Sequence, residues 1–151
     1  MRGIVQRVSN AAVAVDGETI SSIGHGLLVL VGVVPTDTTH DASALAAKIV
    51  TMRIFSDDAG KMNRSLQDIG GSVLIVSQFT LVADLSSGRR PSFVGAAHPD
   101  RALGLIQELA AHVEHGGVPV AMGKFGAKMD VTSTNAGPVT FVIDVESGRV
   151  S

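Results

Sequence analysis

Gly26-Leu27-Leu28-Val29-Leu30-Val31-Gly32-Val33-Val34 is the stretch on which the fold turns. Its apolar run, Leu27 to Val34, is the longest in the chain. It does not alternate polar with apolar, so it fits a strand buried on both faces. It is too short to cross a bilayer, which takes roughly 20 residues. A strand covered above and below needs other elements on each side, and the flanking sequence must supply them.

Upstream, Ile4 to Val8 and Ala12 to Val15 are short strand candidates separated by Ser9-Asn10, a turn signal. Asp16-Gly17 is a hairpin dipeptide, with Glu18 to Ile23 as the returning strand. Downstream, Pro35 to Thr39 reads as a loop. A helix from about Asp41 to Arg53 follows, because Ala42, Leu45, Ile49 and Met52 recur at helical spacing and Thr38 or Thr39 can cap it. Ile54-Phe55 is a short strand, Ser56 to Gly60 a turn, and Lys61 to Gly71 polar and loop-like. Ser72 to Phe79 is the next strand, and Asp84 to Pro99 is irregular. Pro99 suits the first position of a second helix, with Leu103, Ile106, Ala110 and Val113 on its buried face and Gly116-Gly117 at its end. Val118 to Met122, Met129 to Ser133 and Val139 to Val145 complete the strands. No repeat, low-complexity tract or linker divides the 151 residues. The order predicts one α/β domain of α+β character, with a mostly antiparallel or mixed sheet and two main helices. Regular βαβ alternation is missing, which argues against a doubly wound nucleotide fold.

Composition narrows the chemistry. Apolar residues make up 45% of the chain, but Trp and Tyr are absent and Phe occurs five times, so Val, Ile, Leu and Ala must build the core. With no cysteine, disulfides, thiolate catalysis and Cys-ligated zinc are excluded. MRGIVQRVSN at the N-terminus lacks an apolar signal-peptide core, and a cytoplasmic protein is the expectation. The formal charge is −2, whereas proteins that grip long stretches of nucleic acid are basic. A local patch at one RNA end stays compatible with that charge, and Arg89, Arg90, Lys124 and Lys128 are the candidates.

Two short polar runs joined to strand-like sequence are the candidate site. Ser77-Gln78-Phe79-Thr80-Leu81 follows one strand, and Asn135-Ala136-Gly137-Pro138-Val139-Thr140 leads into another. Ser77 and Thr80 are hydroxyls that need a nearby base to attack a carbonyl, and no base is evident in the sequence. Read alone, Ser77, Gln78 and Thr80 more simply satisfy backbone groups where a strand ends. Gly137-Pro138 is ordinary turn chemistry, and about 5–6% of X–Pro bonds are cis. His112 and His115 lie three apart without an evident third metal ligand, and helix-end histidines also suit the helix dipole. Neither a G-x-S-x-G elbow nor a G-x-x-x-x-G-K-[ST] loop is present.

Taken together, the motifs resemble the D-aminoacyl-tRNA deacylase family along essentially the whole chain. The opening Met1 to Val8 with its QRV, Gly26 to Val33, Arg53 to Asp57, Gly60 to Asn63, SQFTL at Ser77 to Leu81, Arg90 to Phe93, Pro99 to Ala102, Gly123 to Phe125 and Asn135 to Thr140 occur in the family's order. Ala136 and Met122 depart from it, standing where Asp and Thr are frequent. The resemblance implies a barrel-like core and a homodimer without cofactor or metal. It implies hydrolysis of the ester between a D-amino acid, or glycine mischarged on tRNA(Ala), and the 3′-terminal adenosine of tRNA. Ser77, Gln78, Phe79 and Thr80 are then the catalytic pocket. Gly137 and Pro138, joined by a cis bond and inserted into the partner's pocket, exclude L-amino acids, and Arg7 supports them. The acceptor end of aminoacyl-tRNA is the expected partner, with no membrane and no DNA. Two alternatives stand beside this reading: a noncatalytic dimer that binds RNA ends, and an esterase with Thr80 as nucleophile.

Overall fold

The computed structural model describes all 151 residues. Strand β1 (Arg2–Val15) turns at Asp16-Gly17 into β2 (Glu18–Ile23), and β3 (Gly26–Gly32) follows. Helix α1 (Thr39–Thr51) leads to a small hairpin of β4 (Phe55–Ser56) and β5 (Met62–Arg64), then a single helical turn, α2 (Leu66–Ile69). Strand β6 (Ser72–Ser77) ends in a 3₁₀ turn over Phe79–Val82. Helix α3 (Pro99–His115), β7 (Val120–Met122), the long β8 (Asp130–Glu146) and β9 (Arg149–Val150) complete the chain.

One mixed sheet runs β7-β6-β3-β1-β8-β9, with β2 also paired to β1. Strands β3, β6 and β7 are parallel, and the other pairs are antiparallel. Leu27, Val29 and Val31 of β3 join Val73 and Ile75 of β6 under α1 and α3, where Leu45, Ile49, Leu109 and Val113 close the larger core. Leu28, Leu74 and Val76 point the other way and meet Val8, Ala11 and Val13 of β1. The run that begins at Leu27 is thus a strand with a core on each side, ending at Gly32 before Val33 and Val34. Its second cover is the sheet itself: β1 continues past its pairing with β3 and curls over, carrying β2, to give a half-barrel.

Three local readings are corrected. Ser9-Asn10 does not end a strand. It marks an irregularity inside β1, where the register shifts between Val8 paired to Asn135 and Asn10 paired to Thr134. Ser9 is the extra residue of that β-bulge, and both polar side chains stay exposed. Likewise Met129 to Ser133 and Val139 to Val145 belong to one strand, β8. The polar stretch Lys61 to Gly71 is structured: Ser65 caps α2 through Asp68, and Leu66 is fully buried. A single turn around one buried leucine carries no periodic signal. The Asp16-Gly17 hairpin and the start of α3 at Pro99 lie where the sequence puts them, with φ of 51° at Asp16 and 83° at Gly17.

Candidate functional site

All three parallel strands end at one place. Val31 and Val33 lie at the carboxyl end of β3, Ser77 at the end of β6, and Phe125 and Gly126 just beyond β7. The segment before α3 and its first turns, from Phe93 to Ala102, with Ile106 beneath, form the remaining wall. These residues enclose a cavity of about 480 Å³ lined by 14 residues, nine of them hydrophobic. The crevice beyond the carboxyl ends of parallel strands is where open α/β sheets bind ligands. The loop is held there by its backbone, since Gln78 N–H donates to Val31 O at 2.7 Å and Ala97 N–H to Val33 O at 2.9 Å.

Ser77, Gln78 and Phe79 line this cavity and Thr80 does not. Thr80 sits on the adjoining 3₁₀ turn with its hydroxyl oxygen accepting a hydrogen bond from the Gln78 amide. An amide donor orients a hydroxyl but cannot take its proton. Among the lining residues His98 alone carries an imidazole, and its Nδ1 lies 3.6 Å from Asp100 Oδ2 at an exposed rim. Sequence reading assigns no role to His98, Phe93 or Phe125, which sit at a helix start or in irregular segments without periodicity. The signal available for them was scarcity: three of the five phenylalanines line this cavity.

Gly137 and Pro138 lie elsewhere. On β8 they fall between Thr140, paired to Gln6, and Asn135, paired to Val8. Over that interval β8 carries residues 136–139 where β1 has only Arg7, so the chain bulges outward. Asn135 closes the neck: its Oδ1 accepts Val139 N–H at 3.0 Å and its Nδ2 donates to Thr140 Oγ1 at 3.0 Å. The Arg7 guanidinium fills the gap opposite, donating to Ala136 O at 2.9 Å and to Ile54 O at 2.6 Å. That first contact uses a main-chain carbonyl, so alanine at 136 preserves it. Gly137 has φ 140°, the Gly137–Pro138 bond is cis, and both residues are exposed. Neither lines the Ser77–Phe79 cavity of its own chain.

Arg89, Arg90, Lys124 and Lys128 are exposed and none is in a salt bridge. Arg89 and Arg90 precede Phe93 in the loop that walls the cavity, and Lys124 adjoins Phe125 on the opposite segment. His112 and His115 gather no further ligand, and no three His, Asp or Glu side chains form a metal-holding cluster.

The family model and the curated relatives place the chain in the class of deacylating hydrolases. Within that class it belongs to the D-Tyr-tRNA(Tyr) deacylase family, whose sequence profile matches residues 4–144. A D-aminoacyl-tRNA deacylase of Bacillus licheniformis is 56% identical over 144 residues, covering 95% of this chain and 98% of its own. One of Deinococcus radiodurans is 54% identical over 145 residues, covering 96% of this chain and all of its own. Among solved structures, the c-Myc DNA unwinding element binding protein superposes with a TM-score of 0.89 at 35% identity, over 97% of this chain and all of that one. A probable eukaryotic D-amino acid tRNA deacylase shares the fold, with a TM-score of 0.82 at 18% identity over 95% of this chain and 98% of its own. No helix of the chain is long and apolar enough to cross a membrane.

Proposed function

We propose that this protein hydrolyses the ester joining a D-amino acid, or glycine, to the terminal adenosine of tRNA. It does so as a homodimer in which Gly137 and Pro138 of each subunit complete the cavity of the other. One observation carries the reading: the backbone excursion is built, braced and exposed, yet lies outside its own chain's cavity. A braced protrusion and a cavity that do not meet within one chain suit a partner related by two-fold symmetry, where each surface meets the other. Exposed Phe141 and Val142 on the same strand supply apolar surface for that contact.

Selectivity follows from sterics. D- and L-aminoacyl esters differ only in arrangement at Cα, so rejection needs a wall where the L side chain would sit. Backbone held by Arg7 and Asn135 is less adjustable than a free side chain. Such a wall rejects by clash and leaves glycine, with hydrogen on both sides, as a substrate. For the chemistry, an aminoacyl ester is already activated, and positioning water with hydrogen bonds to the developing oxyanion suffices. The Ser77–Thr80 segment supplies that positioning, with the substrate's ribose 2′-hydroxyl available beside the ester. Gln78 donates to Thr80 Oγ1 rather than accepting its proton, which favours this route over a Thr80 nucleophile. Arg89, Arg90, Lys124 and Lys128 on the two rim segments meet the phosphates of the RNA end.

The test is deacylation of glycyl-, D-alanyl- and L-alanyl-tRNA at equal, substoichiometric enzyme. Release of glycine and D-alanine with L-alanine retained is the expected outcome. Glycyl-tRNA as resistant as L-alanyl-tRNA means that the pocket recognises a D side chain positively, and exclusion is wrong. Binding without turnover on any ester makes the protein a noncatalytic RNA-end binder.

A further inference from the structure

Large apolar side chains are exposed at ten positions, and four of them crowd into one short segment: Phe79 at 58%, Leu85 at 74%, Phe93 at 36% and Val94 at 91%. That segment is not slack. Asp84 and Ser92 exchange backbone hydrogen bonds at 2.8 and 2.9 Å, pinning a hairpin whose far end carries Arg89 and Arg90. The hairpin sets Phe93 against Phe79 with ring centroids 4.8 Å apart and planes at 68°. An edge-to-face pair leaves a ring face free, and here both rings are partly open to solvent. Phe125, the third aromatic side chain of the cavity, is by contrast half-buried and packed against the core.

This difference separates an inner from an outer aromatic surface. A protein with net charge −2 has no general attraction for RNA, so an exposed aromatic pair beside two unpaired arginines is a local arrangement. Stacking on an aromatic ring is how single-stranded nucleotides are held irrespective of base identity, with cationic side chains tracking the backbone. A bare apolar contact for another protein would not call for arginines at the hairpin's end.

Resting on the deacylase reading above, we infer that Phe79 and Phe93 form a stacking platform for the nucleobase that immediately precedes the terminal adenosine. The platform is a nucleotide subsite at the open rim of the cavity that receives the aminoacyl ester, since both rings line it and both stay partly exposed. Arg89 and Arg90 face the phosphates of the same stretch. The base is held by its ring face and not by its edge, so the subsite is indifferent to which base it is.

Three D-alanyl esters test this: on adenosine, on the dinucleotide cytidylyl-adenosine, and on that dinucleotide with an abasic first ribose. For each, kcat/KM is measured with the unaltered protein, Phe93→Leu and Phe93→Tyr, and the ratio of dinucleotide to adenosine ester is taken within each variant. A loss of turnover common to all esters cancels in that ratio. The unaltered protein is expected to favour the dinucleotide by about tenfold, the scale of one base stacked on a ring. The abasic ester should fall back to the adenosine value. Phe93→Leu should bring the ratio close to one, and Phe93→Tyr should keep it. A ratio of one in the unaltered protein, a full advantage kept by the abasic ester, or a ratio unchanged in Phe93→Leu each overturns the platform. If none of the esters nor D-alanyl-tRNA is cleaved, the deacylase reading itself fails and the platform falls with it.

Discussion

Arg7 is the residue on which the protrusion depends. A guanidinium is planar and can donate in two directions at once, while an ammonium on a flexible stem cannot hold the same fork. Arg7→Lys keeps the charge but loses one of the two carbonyls, Ala136 O or Ile54 O. The expected outcome is a stability loss of about 1–3 kcal/mol, the range for a buried polar group left unpaired. Deacylation of D-alanyl-tRNA should fall further than stability alone explains, which kcat/KM measured well below the melting temperature will show. Gly137 is constrained from the other side. A Cβ there would stand 2.9 Å from Arg7 Nη2 and 2.7 Å from Val139 Cγ2, at a φ of 140° that L side chains rarely adopt. Gly137→Ala is therefore expected to displace the Arg7 brace, lowering both Tm and discrimination against L-alanyl-tRNA. The sequence made the excursion's residues visible as polar punctuation in an apolar strand. Only the family resemblance pointed to Arg7, 129 residues before Ala136, as their counterpart; residue pattern alone does not, because that contact exists only through the β1–β8 register.

At the scale of elements, one carboxylate fastens three pieces. Asp41 lies in the first turn of α1, accepting the Thr38 N–H and hydroxyl at 2.8 Å through Oδ2, while its Oδ1 accepts Gly148 N–H at 2.8 Å from the β8–β9 turn. Burial of the carboxyl works to raise its pKa, but the hydrogen bonds from Gly148 and Thr38 outweigh it, and the group titrates below the ordinary carboxylate range. A depressed folded-state pKa gives stability that is fully present above the unfolded value of about 3.9 and is lost as pH falls through the folded one. Asp41→Asn should thus cost about 1 kcal/mol near neutrality, the scale of a lost cap. The gap between Asp41→Asn and the unaltered protein should narrow below about pH 4, as urea melts across pH will show. Elements with a strong local cause were legible. Thr38 or Thr39, Asp16-Gly17 and Pro99 each announced a boundary, and the cap is Thr38. Helix α2 and the cavity wall from Phe93 to His98 were not, because tertiary contacts place them and no period in the sequence does.

For the whole molecule, charge sets how the substrate is met. If the four exposed cations Arg89, Arg90, Lys124 and Lys128 meet the RNA end as proposed, then at about −0.7 to −0.9 per phosphate contact they give a slope of log Kd against log salt of about 3 in magnitude. Filter binding of a nonhydrolysable aminoacyl-tRNA analogue between 50 and 200 mM salt measures it, and a magnitude near 10 would mean a far broader footprint than these residues provide. The double core was foreshadowed by the unbroken run at residues 27–34. Its second cover was not, since the curl of β1 depends on a bulge at Ser9 that reads locally as a turn.

Strand β1 takes β8 as a partner along most of its length, with Arg2 opposite Asp144 and Ala14 opposite Asp130. On the ribosome, the first strand made therefore waits for almost the last. At about 5–20 residues per second, that interval is on the order of 10 s. During it β1 offers β8's side of its backbone to anything that can pair with it. Stalled chains ending before residue 130 should pellet or be held by chaperones, whereas chains long enough to free residues 130–146 from the exit tunnel should resist protease. The same pairing that braces the protrusion at Arg7 thus makes biosynthesis the moment at which this fold is most exposed to aggregation.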